Sequence, residues 1–405
     1  MKVLTFLGPT QYAFTKYRYK DKVVPTRFFA EALPHFFPDT EKILAFVTPT
    51  VREHSNLEEL QSRLGDLLEP VPIPESHDEN ALWDIFDALT NSVQEGERVV
   101  FDITNSFRSL PFLVFIAAAF LRSARKVKVE AVVYGAYEAR DKDANISPVF
   151  DLTPFISLFD WLTATNQFIY TGSARYLARQ LEGRGEALAP LAQNVRDIAL
   201  GLDLLRPRHV AEAAQSLPEN LAAVQQLLPR PFGVVAQQIE NAYGRFQIER
   251  PDEPREHLRS QLRMINWYYE KERYVHALSM AREWLVSLVC VEFNLDLWDR
   301  NERSKAEFLL NYGGYREDKK TGEIEESPYR DAWKRYPYRK TIAQLWQGKE
   351  RGQNGKEYNL ANLRNDVLHA GFRKGAKPAN EVIAQTGRIL ERLNRLAADL
   401  GLTTS

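Results

Sequence analysis

For its first 155 residues the chain alternates between short β-branched runs and stretches of helical length, and this alternation limits its possible folds more than any other feature. The β-branched, apolar runs occupy residues 2–7, 42–48, 71–73, 98–104 and 126–134, with helical patterns near 27–37, 56–68, 80–93 and 109–124 between them. Strands separated by helices of this length predict a parallel sheet with helices on both faces. From about Asp151 the alternation stops. An amphipathic stretch runs over 160–181, Glu182-Gly-Arg-Gly185 breaks it, and α-rich sequence continues to about residue 247. The proline- and charge-rich stretch Glu249-Arg-Pro-Asp-Glu-Pro-Arg-Glu256 marks a boundary. Beyond it the pattern predicts a long helix over 258–293, with a kink or break, carrying Trp267, Tyr268, Tyr269, Tyr274 and Trp284. Residues 312–338 read as an insertion with an exposed turn at 319–323. A final helix over 380–400 sets Val382, Ile389, Leu393, Leu396 and Leu400 on one apolar stripe. The expected architecture is α/β followed by all-α, with a sheet domain at 1–155, a helical linker at 156–256 and a helical domain at 257–405.

Composition narrows the function classes. A chain of 405 residues exceeds one ordinary core, and 44% hydrophobic with 26% charged residues is a soluble globular balance. Lys+Arg 53 against Asp+Glu 54 leaves no global field for coating nucleic acid, so an RNA partner would be gripped locally. The apolar start, Met1 to Leu7, is cut off by Gly8-Pro9, too early for a signal peptide. The longest apolar run, 110–121, is too short for a membrane span. The expectation is a cytoplasmic protein with no membrane partner. Cys290 is alone, which removes an internal disulfide and a cysteine-rich zinc site and makes it a core residue. His35, His54, His77, His209 and His257 have no partner at metal-ligand spacing, and no metal or cofactor is expected. Neither G-x-G-x-x-G nor G-x-x-x-x-G-K-[ST] occurs, which argues against dinucleotide and ATPase readings.

Two segments carry chemistry. In a parallel sheet ligands bind beyond the carboxyl ends of the strands, and two such ends are unusual. The first strand runs into Gly8-Pro-Thr10-Gln-Tyr12, and the fourth into Asp102-Ile-Thr104-Asn105-Ser106-Phe-Arg108. Small and hydroxyl residues at a strand-to-helix turn let backbone amides approach a phosphate. Asp102 could accept from a ribose hydroxyl or an adenine amine, Thr104, Asn105 and Ser106 could donate to phosphate oxygens, and Arg108 could balance charge. The competing reading is a helix cap at Asn105 or Ser106 with Pro111 in the first turn. The second segment is Arg364-Asn365-Asp-Val-Leu-His369, followed by Gly371. Histidine moves protons near neutrality, and the arginine fork suits a phosphate in transition. Asn365 and His369, four apart, share a helix face, while Arg364 lies about 140° around from His369. Packing of His369 at a helix end is the alternative here, and Asp366 reads as a solvated helix residue.

The segment Asp102-Ile-Thr-Asn-Ser-Phe-Arg108-Ser-Leu-Pro111 resembles the D-x-T-H-G-[FY]-R-x-x-P signature of CRISPR-associated accessory proteins of type III systems. The same family pattern is matched by Gly8…Tyr12, Thr26-Arg-Phe-Phe29, Tyr134-Gly-Ala136 and Asp151-Leu-Thr153…Asp160-Trp161. Asn105-Ser106 stands where that family has His-Gly, and serine is less permissive at positive φ than glycine. The resemblance implies an N-terminal Rossmann-like CARF domain that senses a cyclic oligoadenylate, of four or six units, through Gly8, Thr10, Tyr12, Asp102, Thr104, Asn105, Ser106 and Arg108. It further implies a C-terminal HEPN domain, in which Arg364, Asn365 and His369 fall on the R-x4–6-H motif. The implied activity is metal-independent cleavage of single-stranded RNA, not DNA, by a homodimer or a larger assembly. Ring-opening of the activator and a non-enzymatic sensor remain as alternatives. Glu283 resembles an acidic residue of the HEPN family, with structural pairing as its other use, and His276 reads as packed or dimer-facing.

Overall fold

The computed structural model describes the chain except residues 77, 106–109, 229–231, 319–320, 348–349, 352–356, 370–371, 373–375 and 404–405. Two compact units emerge, Met1–Trp161 and Leu162–Ser405.

The first unit is built on an eight-stranded sheet with strands β1 (Lys2–Phe6), β2 (Thr15–Tyr19), β3 (Lys22–Thr26), β4 (Lys42–Val47), β5 (Leu68–Pro72), β6 (Arg98–Asp102), β7 (Lys128–Gly135) and β8 (Ile146–Asp151). Their order is β3-β2-β8-β7-β6-β1-β4-β5. The five expected strands form the parallel block β7-β6-β1-β4-β5. Helices α1 (Phe29–Phe36), α2 (Pro49–Arg52), α3 (Ser55–Leu64), α4 (Glu79–Asn91) and α5 (Leu110–Arg125) complete the unit. Successive residues of each central strand face opposite layers. Val3, Ile43 and Val100 pack with Phe29, Leu33 and Leu60, whereas Leu4, Leu44 and Val99 pack with Ile85, Leu89, Val114 and Leu121. A strand covered on both faces must be apolar at every position, which is why these runs read as continuous.

Three strands were absent from the sequence reading. β8 pairs antiparallel to β7, β2 parallel to β8, and β3 antiparallel to β2 at the edge. β2 does alternate, with Thr15, Tyr17 and Tyr19 buried and Lys16 and Arg18 exposed. Pro25 in β3 and Pro148 in β8 break the apolar pattern, as extension strands outside a parallel core permit.

Helix α6 (Thr153–Thr171) carries the chain into the second unit. There follow α7 (Arg175–Glu182), α8 (Ala189–Asp203), α9 (Pro207–Val224), α10 (Phe232–Tyr243), α11 (Pro254–Glu270), α12 (Tyr274–Glu292), α13 (Arg300–Tyr312), α14 (Arg330–Arg335), α15 (Arg339–Gln347), α16 (Leu360–Leu368) and α17 (Ala379–Asp399). The long helix expected over 258–293 is two, α11 and α12, separated where Glu272 takes φ 57°. The expected insertion contains a two-stranded hairpin, β9 (Tyr315–Glu317) with β10 (Ile324–Glu326), and α14. Trp267 joins Phe168, Tyr243 and Phe246 in an aromatic cluster, with Tyr243 stacked on Phe168 at 4.2 Å. Trp284 Nε1 donates to the Leu258 carbonyl at 2.9 Å, and Cys290 is buried. Among the described residues no helix is long and apolar enough to cross a membrane.

One turn ties this cluster together. Gly172 ends α6 at φ 77°, and a Cβ there would lie 2.7 Å from the Trp267 ring. Gly172→Ala therefore combines a left-handed penalty with overpacking and should cost ~2–4 kcal/mol by denaturant unfolding. Gly313→Ala, at φ 64° with open space around it, should cost only about 1 kcal/mol. Equal losses would show that the Trp267 contact is immaterial.

Candidate ligand cleft and candidate catalytic helix

The sheet reverses direction at β1, with β4 and β5 laid to one side and β6 and β7 to the other. That is the switch point where parallel sheets open a crevice at their carboxyl ends. A cleft of about 270 Å³ opens here, lined by Gly8, Pro9, Thr10, Tyr12, Thr104 and Asn105. Five of the eight residues expected to meet the ligand thus converge on one cavity.

The loop after β1 is held by side chains. The Tyr12 hydroxyl accepts from the Gly8 amide at 2.7 Å and donates to the Gly8 carbonyl at 3.2 Å. Asn56, at the start of α3, donates to the carbonyls of Gly8 and Thr10 at 3.0 and 2.9 Å. The Tyr12 ring meets Phe28 edge-on at 5.5 Å, and burial raises its hydroxyl above the usual phenol range.

Asp102 plays a different part from the one expected. It is fully buried, its Oδ2 accepting from Thr5 Oγ1 at 2.6 Å and its Oδ1 from the Thr104 amide at 2.8 Å. Thr104 Oγ1 accepts in turn from the Gly135 amide at 2.8 Å. The carboxylate so anchors the ends of β1 and β6 and presents no surface to a ribose or adenine. Ser106 and Arg108 lie outside the described residues. Sequence reasoning missed Asn56 and also Thr48, which lines the cleft and caps α2. Thr48-Pro49 directly after a strand was the readable signal for that cap.

In the second unit, Asn359 caps α16 by accepting from the Asn362 amide at 2.8 Å. Leu360, Leu363 and Asp366 are buried on one face of the helix, and Asn365 and His369 are exposed on the other. The His369 amide donates to the Asn365 carbonyl at 3.0 Å, closing the last turn, and the residue is exposed. Half-buried Arg364 reaches around the helix, its Nη1 donating to Asn365 Oδ1 at 3.3 Å. That contact brings its fork toward the Asn365 side despite the angular offset. Its Nε is buried and has no hydrogen-bond partner among the described residues. Asp366 is not solvated: it is 3% exposed, and its Oδ2 accepts from the Lys377 amide at 3.2 Å, tying α16 to the approach to α17. Gly371 lies outside the described residues.

Glu283 pairs with Arg282 at 2.5 Å and Arg303 at 2.8 Å. His276 lies half-buried 5.3 Å from the Tyr268 ring, and burial lowers its basicity. Among the described residues no cluster of three His, Cys, Asp or Glu could hold a metal ion.

Comparison with known proteins agrees with the N-terminal architecture. Residues 2–138 match the model for the CARF domain of the CRISPR system endoribonuclease Csx1, and residues 157–250 match that for the second domain of CRISPR-associated protein MJ1674. The first unit is thus a CARF domain of the Csx1 type, followed by a segment like the second domain of MJ1674. MJ1674 from Methanocaldococcus jannaschii is 21% identical over 256 residues, 62% of this chain. The match spans 39% of that relative's length. The structure of Enterococcus italicus Csm6 bound to cyclic hexa-2′-fluoro-hexa-dAMP aligns over 100% of this chain and 95% of the other, at 8% identity and a TM-score of 0.46.

The buried Asp102 has a titration signature. Desolvation raises its carboxyl from 3.8 to about 6. The folded state thus holds the proton more tightly than the unfolded chain, and this group's contribution to stability falls as pH rises through that window. Asp102→Asn cannot ionise, so its Tm relative to wild type should improve between about pH 4 and about pH 7. A Tm difference constant over that range would exclude the buried ionisation.

Proposed function

We propose that the chain is a cyclic-oligoadenylate-activated, metal-independent endoribonuclease acting on single-stranded RNA in type III CRISPR defence. The carrying observation is the exposure of Asn365 and His369 at α16 with the half-buried Arg364 fork brought beside Asn365, in a chain whose other unit is a CARF domain with an open switch-point cleft. The RNA's own 2′-OH attacks the adjacent phosphorus and the bond to the 5′-oxygen breaks. His369 removes the hydroxyl proton, and a histidine returns one to the leaving oxygen, giving a 2′,3′-cyclic phosphate and a 5′-OH. Arg364 binds the charge that builds on the phosphate oxygens. DNA lacks the nucleophile. The cyclic activator, of four or six adenylates, takes the cleft formed by Gly8, Thr10, Tyr12, Thr104 and Asn105, and the sequence pattern adds Ser106 and Arg108 as further contacts. Asp102 sets the loops and does not touch the ligand. Activation requires that the ring bind the active arrangement better than the inactive one.

A homodimer is part of this reading. One chain supplies a single Arg–His pair, and α5 exposes Phe112, Ile116 and Phe120 at four-residue spacing, with Phe112 71% exposed. Trp83 on α4 and Phe155 and Phe159 on α6 are exposed as well. An apolar face of this kind is suited to a second copy across a two-fold axis.

The activity is tested with RNA alone and with cyclic tetra- or hexa-adenylate. One ring should accelerate cleavage, and His369→Ala or Arg364→Ala should lower the activated rate by about 10²-fold or more. Equal rates without and with either ring would end the activation claim. Binding without turnover would indicate a sensor, and loss of the ring itself would indicate an activator-degrading enzyme.

The dimer is tested separately. Phe112→Glu combined with Phe120→Glu should shift the mass in solution from dimer to monomer and abolish activated cleavage while the circular dichroism spectrum is kept. A dimer that persists with full activity would move the interface elsewhere.

A further inference from the structure

A second cleft, of about 410 Å³, lies within the helical unit, remote in sequence from α16. Ala211 on α9, with Ile248 and Pro251 from the stretch before α11, gives it an apolar lining. Its aromatic wall is Trp298, 50% exposed. Large indoles in this chain are otherwise mostly sealed, as with Trp161, Trp267, Trp284 and Trp333. Trp298 is nonetheless held in place. Its amide donates to Asp296 Oδ1 at 2.7 Å, and the His257 ring meets its indole edge-to-face at 5.2 Å and 83°. His257 Nε2 donates to the Pro251 carbonyl at 2.8 Å, which fixes that imidazole. Arg208 lies 5.5 Å from the indole centroid, within cation–π range, and is braced by Glu212 at 2.9 Å.

An ordered, half-exposed indole above an apolar floor suits a flat heteroaromatic ring, and a nearby guanidinium suits that ring's phosphate. The rim carries two groups with unused hydrogen-bonding capacity. Neither the Asp252 carboxylate nor the Gln215 amide makes a side-chain hydrogen bond or ion pair with the described residues. A carboxylate accepts two parallel bonds from the N1–H and exocyclic amine of guanine, and an amide N–H can donate to its O6. Adenine offers the carboxylate one amine and no N1–H.

We infer that this cleft is a guanine subsite, in which Trp298 stacks the base, Asp252 and Gln215 read its Watson–Crick edge and Arg208 meets its phosphate. The site goes beyond the proposed cleavage centre and needs neither turnover nor activator. The same chemistry is offered by a free guanine nucleotide and by a guanosine within single-stranded RNA.

The test is direct binding to the full chain by calorimetry, with GMP, IMP and AMP as probes and an uncleavable 2′-O-methyl RNA containing one guanosine. The order expected is GMP, then IMP, then AMP, with at least about a tenfold preference for GMP over AMP. Trp298→Ala should weaken GMP binding about 5- to 150-fold, the range measured for base–aromatic stacking, and Trp298→Phe should restore part of it. Asp252→Asn should remove the preference for GMP over IMP with the Tm kept. Tighter binding of the oligonucleotide than of GMP assigns the site to RNA, and equal binding assigns it to the free nucleotide. AMP binding as well as GMP, no binding of any probe, or a Trp298→Ala variant that binds like wild type overturns the proposal. Because no cleavage is read, failure here is distinct from failure of the ribonuclease reading.

Discussion

A buried carboxylate at the carboxyl end of β6 governs the sensor end of the molecule. Burying an ionised group without partners is very costly, and Asp102 is sealed from solvent completely. Its cost is offset by the Thr5 hydroxyl and the Thr104 amide, one from β1 and one from the chain just beyond β6. These two strands flank the point at which the sheet reverses, so the bonds that satisfy the charge also fix the mouth of the cleft. Thr104 extends the same chain of bonds to Gly135 at the end of β7. The ends of three neighbouring strands are therefore registered by polar contacts where ladder hydrogen bonding gives out. The loop bearing Gly8, Thr10 and Tyr12 and the turn bearing Asn105 both start within three residues of this anchor. Removing one of the two partners would leave one carboxylate oxygen unsatisfied in a dry site, which costs more than the lost bond itself.

The legibility of the fold follows from how much of each element is covered. The five parallel strands were readable because burial on both faces demands apolar residues throughout. β2, β3 and β8 were not, because their outward positions carry Lys16, Arg18 and Asp151 and the backbones of β3 and β8 include Pro25 and Pro148. The division of the long aromatic helix turns on a single residue: Glu272 takes a left-handed conformation that its side chain does not announce. A local bond, from the Arg273 amide back to the Tyr268 carbonyl, closes that break, and a tertiary one, from its guanidinium to Asp203, holds it. The second contact joins residues far apart in sequence and leaves no local periodicity to read.

The candidate sites divide in the same way. Spacing was enough to place Asn365 and His369 on one face, because helical geometry alone settles it. It could not say that Asp366, the neighbouring polar residue, turns inward to meet the Lys377 amide. Nor could it separate Asp102 from Asn105, two polar residues at one strand end. Their roles differ because Thr5, almost a hundred residues upstream, presents its hydroxyl to one and not to the other. Asn56 shows the converse: its chemistry was visible, but the carbonyls it meets belong to a loop nearly fifty residues earlier.

The two ends of the chain therefore have opposite hydrogen-bond economies. At the cleft, Asp102, Thr104, Tyr12 and Asn56 are engaged with the protein itself, so a ligand meets a preorganised surface and little ordering is left to oppose binding. At α16, Asn365 and His369 are exposed, Arg364 Nε has no hydrogen-bond partner among the described residues, and Phe372 beyond them is 92% exposed. Under the proposed function, a second copy would cover Phe372 and bring a second Arg–His pair, and an RNA phosphate would meet the guanidinium fork. On that proposed reading, the described residues of the cleft are preorganised within one chain, whereas α16 would contribute half of a composite site, and activation would act on how the two halves meet.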